Sequence, residues 1–173
     1  MQASPVNVTA IKTKEDYYIK HVLDSLYFLM VLNPLPEVKS IIDIGSGGGF
    51  PGIPLAICFP GVKLTLADSI AKKCRYLESA VEKLGLENVE VINNRAEKLS
   101  GSYDLVTARG VGSVKEVYNY THQLVKKGWL MYKGERLDAE LAEASHIINK
   151  KGLKSVIRRM EEPFTRSYLY LHY

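Results

Sequence analysis

At 173 residues, 46% hydrophobic and 24% charged, the chain is long enough to close a sizeable core and has the balance of an ordinary globular protein. No apolar run approaches the roughly 20 residues of a membrane-spanning helix, and the first residues lack the charged-then-apolar pattern of a signal peptide, so the reading is a cytoplasmic protein rather than a membrane one. The net charge of +4 suits a nucleic-acid partner without demanding one, and Cys58 and Cys74, isolated and without metal-ligand spacing, read as reduced core residues on helices.

The chain is expected to form one domain over residues 1–173, with a lead and helix over 1–36 and an α/β core over 37–173. Residues 1–12 read as an irregular lead. Thr13, with Asp16 three residues on, can cap a helix running to about Leu32, where Asn33-Pro34-Leu35-Pro36 ends it. Strands and helices then alternate. A strand is expected over Ser40 to Ile44 and a helix near Ile53 to Cys58. After the Pro60-Gly61 turn, a second strand covers Val62 to Ala67 and ends at Asp68. Ile70, Cys74, Leu77, Val81 and Leu84 recur at helical spacing, and Gly85 stops that helix. A third strand spans Val89 to Ile92, a short helical or loop segment Arg95 to Leu99, and a fourth strand Tyr103 to Thr107. A helix over Ser113 to Val125 leads through Lys127-Gly128 to a fifth strand, Trp129 to Tyr132. Asp138 can cap a helix to Asn149, and after Lys151-Gly152 come two strands, about Leu153 to Arg159 and Ser167 to Leu171. The β-α-β-α order implies a mainly parallel sheet with helices on both faces, and the last two strands, with no helix between them, should pair as an antiparallel hairpin.

Ligands of such a sheet bind at the carboxyl ends of its strands. The first strand there runs into Asp43-Ile44-Gly45-Ser46-Gly47-Gly48-Gly49-Phe50-Pro51-Gly52. Glycines let the backbone turn sharply and approach a ligand closely, and the next helix offers free N–H groups. The acid in front selects the ligand. A carboxylate at Asp43 suits a cationic or hydroxyl-rich ligand and would repel a pyrophosphate, and Asp-x-Gly-x-Gly is the signature of S-adenosylmethionine (AdoMet) methyltransferases. Gly47-x-Gly49-x-x-Gly52 also matches the dinucleotide fingerprint, although its first glycine should directly follow the strand and Gly47 does not. A purely structural glycine turn is the third reading.

Other residues follow from their places at strand ends. Asp68 can accept the two hydroxyl hydrogens of a ribose, and Asp68 or Ser69 can also cap the next helix. Ala96 and Glu97 follow the third strand, where this topology touches an adenine edge; Glu97 reads equally as a solvated acid. Arg109 follows the fourth strand, where it can hold the AdoMet carboxylate or a substrate phosphate, or simply stand exposed. No Asn or Asp-Pro-Pro-Tyr motif of exocyclic-amine methyltransferases stands there. A ring nitrogen such as guanine N7 needs no such motif, because it presents a lone pair and loses no proton. Lys133, before Gly134, is a candidate for base or phosphate contact. On the first helix His21, Asp24 and Ser25 form either a polar wall of the substrate pocket or a hydrogen-bonded seam; a hydrolytic triad is disfavoured, since no nucleophile-elbow motif is present. Basic residues at Lys72, Lys73 and Arg75, and from Lys150 to Arg166, can contact phosphates or form solvated faces.

The ordered set Asn7-Val8-Thr9, Lys20-His21-Val22-Leu23-Asp24-Ser25, Asp43 to Pro54, Asp68-Ser69 with Lys72-Lys73, Arg95-Ala96-Glu97, Ala108-Arg109 and Lys133-Gly134 resembles the bacterial 16S rRNA guanine-N7 methyltransferases, the glucose-inhibited division protein B family. The Gly-Phe-Pro-Gly-Ile-Pro extension carries most of the specificity. The resemblance implies a Rossmann-like class I AdoMet-dependent methyltransferase fold with a seven-stranded sheet. It implies methylation of N7 of one guanine in the decoding-region loop of 16S rRNA, in the small subunit or its precursor, with S-adenosylhomocysteine as product. It further implies a monomeric cytoplasmic enzyme without a metal. Asp43, Gly45, Ser46, Gly47, Phe50, Asp68, Ser69, Ala96, Glu97 and Arg109 would line the AdoMet site; Asn7, His21, Asp24, Ser25, Arg109 and Lys133 would surround the guanine. Relatives differ in carrying a longer N-terminal helical segment, alanine where Gly110 stands, and an aliphatic residue where Tyr132 stands.

Overall fold

The computed structural model describes residues 13–31 and 37–173. The first helical run is an α-helical turn, α1 (Lys14–Tyr17), a π-helical stretch (Tyr18–Leu23) and α2 (Asp24–Val31), in continuous succession. The Thr13 hydroxyl accepts from the Asp16 N–H at 3.1 Å, the cap that its spacing implies. The run's end near the Asn33-Pro34-Leu35-Pro36 segment, and the 1–12 lead, lie outside the described residues.

Among the described residues, seven strands then form one sheet: β1 (Ser40–Ile44), β2 (Lys63–Asp68), β3 (Val89–Asn93), β4 (Tyr103–Arg109), β5 (Val125–Lys133), β6 (Lys154–Met160) and β7 (Arg166–His172). Their order is β3-β2-β1-β4-β5-β7-β6. β3 through β5 pair in parallel, while β7 lies antiparallel between β5 and β6. The hairpin therefore forms as its missing crossover helix implies, and its second strand is the one that joins the sheet.

Helices α3 (Gly52–Cys58), α4 (Ala71–Leu84), α5 (Val114–Thr121) and α6 (Leu137–Lys151) connect the strands. Central strands are covered on both faces, so their side chains alternate between two apolar layers. Ile41, Leu105, Leu130 and Tyr132 join Phe28 of α2 and Leu55 of α3 in one layer. Ile42, Ile44, Val106, Trp129 and Met131 join Val117 of α5 and Ala144 of α6 in the other. Leu77 of α4 packs on Leu66 and Ile53. Gly85 ends α4 in the left-handed conformation, φ 62°, as a glycine C-cap should.

Three local expectations need correcting. The helix after β4 stops at Thr121, not Val125, and β5 begins at Val125. Thr121 spends its hydroxyl on the Val117 carbonyl and on the Trp129 indole N–H, which ties the helix end to the strand. Asp138 lies inside the first turn of α6 rather than capping it, and pairs with Arg159 at 2.5 Å. Cys74 is buried as expected, but Cys58, the last residue of the short α3, is exposed.

Candidate functional site

The glycine turn after β1 is held from beneath by two carboxylates. Asp43 is 1% exposed. Its Oδ1 accepts from the Thr107 hydroxyl at 2.8 Å and its Oδ2 from the Gly52 N–H at 3.2 Å, so it ties β1 to β4 and to the start of α3. Burial pushes its pKa up to about 6 against the opposing pull of these hydrogen bonds. Both oxygens are directed at the protein, which places Asp43 under the turn rather than along the cleft. Ser46, also buried, donates its hydroxyl to the Asp43 carbonyl at 2.9 Å and shapes the turn in the same way.

Asp68 divides its carboxylate between two backbone donors, Gly47 N–H at 3.0 Å and Ile70 N–H at 2.9 Å. The second bond fixes Ile70, the N-cap residue of α4, which has no side-chain cap, so neither Asp68 nor Ser69 caps that helix as the alternative reading had it. Lys73 stands 3.6 Å from Oδ2. Above Asp68 opens a cleft of about 170 Å³, lined by Gly45, Ala67, Asp68, Ser69, Ala96 and Glu97 among others. Five of the residues expected around the cofactor thus share one cleft: Gly45, Asp68, Ser69, Ala96 and Glu97. Val111 and Tyr120 also line it, and neither stands out in the sequence, since they reach the cleft from the loop after β4 and from α5. At Gly45, φ +67°, an added Cβ would come within 2.5 Å of Val111 Cγ2, so only glycine leaves this narrow passage open.

The π-helical stretch and the start of α2 pack on the end of β4 and on the glycine turn, at the same carboxyl ends of the strands but outside the lining of the cleft. Arg109, at the end of β4, donates through Nη1 to Asp24 Oδ2 at 3.0 Å and to the Lys20 carbonyl at 3.2 Å. Its Nη2 lies 2.9 Å from His21 Nδ1. A guanidinium only donates, so Nδ1 accepts and the imidazole is neutral. Burial, seconded by the Arg109 charge, lowers the His21 pKa in keeping with that state. His21 stacks on Phe50, ring centroids 4.6 Å apart, with Tyr17 edge-on to both, and Arg109 lies over Phe50 at 5.4 Å.

Asp24 is fully buried and binds two arginines at once. Beside Arg109, it accepts from Arg166 Nε at 2.9 Å and Nη2 at 3.0 Å, and from the Tyr168 hydroxyl at 3.0 Å. Burial and the Asp24 charge push the Tyr168 phenol far above its ordinary pKa, which keeps it a donor. Ser25 donates to the His21 carbonyl within its own helix, so no Ser-His-Asp relay exists here. The Tyr132 hydroxyl donates to the Ser25 carbonyl at 2.8 Å, giving the departure from an aliphatic residue a purpose: it pins the helix to β5. In the sequence Arg166 stands out only as one of several basic residues, and Tyr168 not at all.

Lys133 is not free to meet a base or a phosphate. It is 6% exposed, pairs with Glu140 at 2.9 Å, and donates to the Gly112 carbonyl at 2.7 Å. Glu140 also accepts from the Val114 N–H, so this pair fixes the loop that carries Val111 to the cleft. Asn7 lies outside the described residues. Among the described residues, no group of three or more His, Cys, Asp or Glu side chains is placed to hold a metal, and no helix is long and apolar enough to cross a membrane.

Comparison with known proteins bears on the family and the fold. Residues 3–164 match the GidB family, described as rRNA small subunit methyltransferase G. A ribosomal RNA small subunit methyltransferase G of Sorangium cellulosum is 41% identical over 153 residues, covering 84% of this chain and 64% of the relative. That of Hydrogenovibrio crunogenus is 41% identical over 141 residues, 79% of this chain and 63% of the relative. The chain therefore spans a little under two thirds of the length of these relatives. Among solved structures, a SAM-dependent methyltransferase from Aquifex aeolicus superposes with a TM-score of 0.71 at 16% identity, covering 99% of this chain and all of that one. Magnesium protoporphyrin IX methyltransferase from Synechocystis PCC 6803, with bound SAM, gives 0.69 at 18% identity over 95% of this chain and 86% of that one. These two likenesses establish the fold: a Rossmann-like class I methyltransferase sheet with an antiparallel end.

Proposed function

The chain belongs to the GidB family, rRNA small subunit methyltransferase G, and from that premise we propose that it methylates N7 of one guanine in the decoding-region loop of 16S rRNA, with AdoMet as donor. The observation that carries this reading is that the cleft over Asp68 and the Arg109–His21–Phe50 group both stand at the carboxyl ends of the strands, with the glycine turn supplying Gly45 to the first and Phe50 to the second. The cleft fits the donor's adenosine half: Asp68 for the ribose hydroxyls, Ala96 and Glu97 for the adenine edge, and Gly45 for close backbone approach, with Gly47 holding Asp68 in place. When bound, AdoMet supplies a methyl group that guanine N7 takes in one displacement, leaving S-adenosylhomocysteine and a cationic 7-methylguanine.

No general base is needed, because N7 carries no proton. What the chain must supply is alignment and exclusion of water. Asp43 and Ser46 act from beneath by fixing the glycine turn. Phe50 and the neutral His21 give a flat, largely apolar wall against which a purine can be held. Arg109, its charge shared with buried Asp24, provides donors at the rim without a mobile cation. Lys133 serves by holding the loop over the cleft. The chain acts in this reading as one cytoplasmic, monomeric methyltransferase domain, with rRNA of the small subunit or its precursor as partner.

The test is transfer of a labelled methyl group from AdoMet to small ribosomal subunits that lack the modification, with mapping by reduction and aniline cleavage. A single new cleavage in the 16S decoding-region loop is the expected result. AdoMet binding without incorporation into any ribosomal RNA would overturn the substrate.

A further inference from the structure

The amino ends of the strands, opposite the cleft, carry a row of lysines that the site does not use. The strand registers place it. Lys63 opens β2 and donates its backbone N–H to the carbonyl of Lys39, which precedes β1. Lys126 lies at the start of β5, and Gly128, His172 and Lys154 are paired across β5, β7 and β6. Lys150 and Lys151 end α6 one turn before Lys154. Lys39, Lys63, Lys126, Lys150, Lys151 and Lys154 are all exposed. From β2 to β6 the row crosses five strand spacings, roughly 24 Å at about 4.8 Å each.

The acids at this end do not cancel it. Asp104 spends its carboxylate on the Lys39 and Lys127 side, accepting from the Lys39 N–H at 2.8 Å and lying 3.9 Å from the Lys127 ammonium. Glu37 stands 3.8 Å from Lys39; Glu87 lies just before β3 and Glu90 at its start, where it accepts from the Thr65 hydroxyl. The excess of cations is therefore carried by Lys63, Lys126 and the Lys150–Lys154 group. All are lysines on regular backbone with no arginine fork among them; the rings at this end include His172, which closes β7, and Tyr173 after it. That chemistry suits sequence-independent contact with phosphates rather than reading of bases.

Resting on the RNA-directed reading above, we propose that this row is a second RNA contact, holding the phosphodiester backbone of a segment distinct from the one that enters the cleft. Lys126 and Lys133 lie at opposite ends of β5, seven strand residues or roughly 23 Å apart. One isolated loop in the cleft has no reason to reach both ends of the sheet. A folded RNA, with two backbone segments on opposite sides of the protein, does. The row thus makes folded ribosomal RNA the preferred partner over a short hairpin.

The experiment compares the wild-type chain with the combined variant Lys126→Gln, Lys150→Gln, Lys154→Gln, and with the corresponding glutamate variant. Binding to folded small-subunit RNA and to a short hairpin carrying the target loop is measured from about 50 to 200 mM salt. For folded RNA, the glutamine variant should lower the log–log salt slope by about 2 to 3, near 0.9 for each phosphate that is no longer neutralised. Its affinity should fall at least tenfold at low salt, and the glutamate variant further. The KM for subunits should rise with kcat kept, while hairpin affinity and AdoMet affinity stay unchanged. Unchanged slope and KM on folded RNA would overturn the second contact, as would equal losses on hairpin and folded RNA. Absence of methyl transfer by the wild type, with the slope still lowered in the variants, would instead remove the proposed reaction and leave the contact standing.

Discussion

The two parts of the site are built by different means. Beneath the glycine turn, carboxylates bind backbone: Asp43 takes the Gly52 N–H, nine residues on, and Asp68 the N–H groups of Gly47 and Ile70. In the cluster around Asp24, side chains bind side chains over long separations. Arg109 reaches Asp24 across 85 residues, and Arg166 across 142. The first gathers around one motif, its longest tie the Thr107 hydroxyl on Asp43 across 64 residues. The second exists only when the N-terminal helix, β4 and β7 are packed together. Damage to the first should weaken ligand binding or change a titration, whereas damage to the second should loosen the fold.

That contrast is broken most directly at Asp24. Asp24→Ala leaves two partly buried guanidiniums without their shared counter-ion and should cost about 3–5 kcal/mol in urea unfolding. A loss below about 1 kcal/mol would mean that the cluster is held by packing alone.

Asp43 comes next, with an effect that depends on pH. Its folded pKa of about 6 lies above the unfolded value near 3.8, so the native state binds the extra proton between these values. Stability contributed by the protonated form is full below about pH 4 and is lost as pH rises to about 6, roughly 3 kcal/mol in all. Asp43→Asn should flatten this stretch of the stability–pH curve, as read by thermal or urea unfolding at several pH values. An unchanged curve would place the titration elsewhere.

At Asp68 the comparison is sharpened through the ligand. Asp68→Ala should weaken AdoMet binding about 10- to 100-fold in calorimetry, the scale of one or two hydrogen bonds to a charged acceptor. Asp24→Ala, assayed at a temperature where it stays folded, should disturb AdoMet affinity less than it disturbs methyl transfer. The reverse order would erase the distinction between the two parts.

The smallest effect is expected at His21. Its pKa is lowered in the folded state, so its contribution is present above the ordinary value of 6.5 and is lost as pH falls below it, when Nδ1 must take a proton and face Arg109. Methyl transfer should decline over that acid range, and His21→Gln should remove that part of the pH profile. A profile with the same acid limb in the variant would acquit His21.

By itself, the sequence determined what neighbouring residues dictate. Alternating apolar runs gave the strands from Ser40–Ile44 to the last hairpin; Thr13, Gly85 and the glycine turn marked ends that steric and hydrogen-bonding rules fix within a few residues. The Asp-x-Gly-x-Gly order and the acid at the end of β2 made the cleft legible, because backbone turns and strand ends place them without help from distant chain. Tertiary structure alone decided that Asp43 faces the protein, that Lys133 is neutralised by Glu140, and that Thr121 ends its helix early on the Trp129 indole. It also decided that Arg166 and Tyr168 share Asp24 with Arg109. A buried charge takes its partner from whatever the packed elements bring within about 3 Å, and no periodicity in the chain records a meeting across 142 residues.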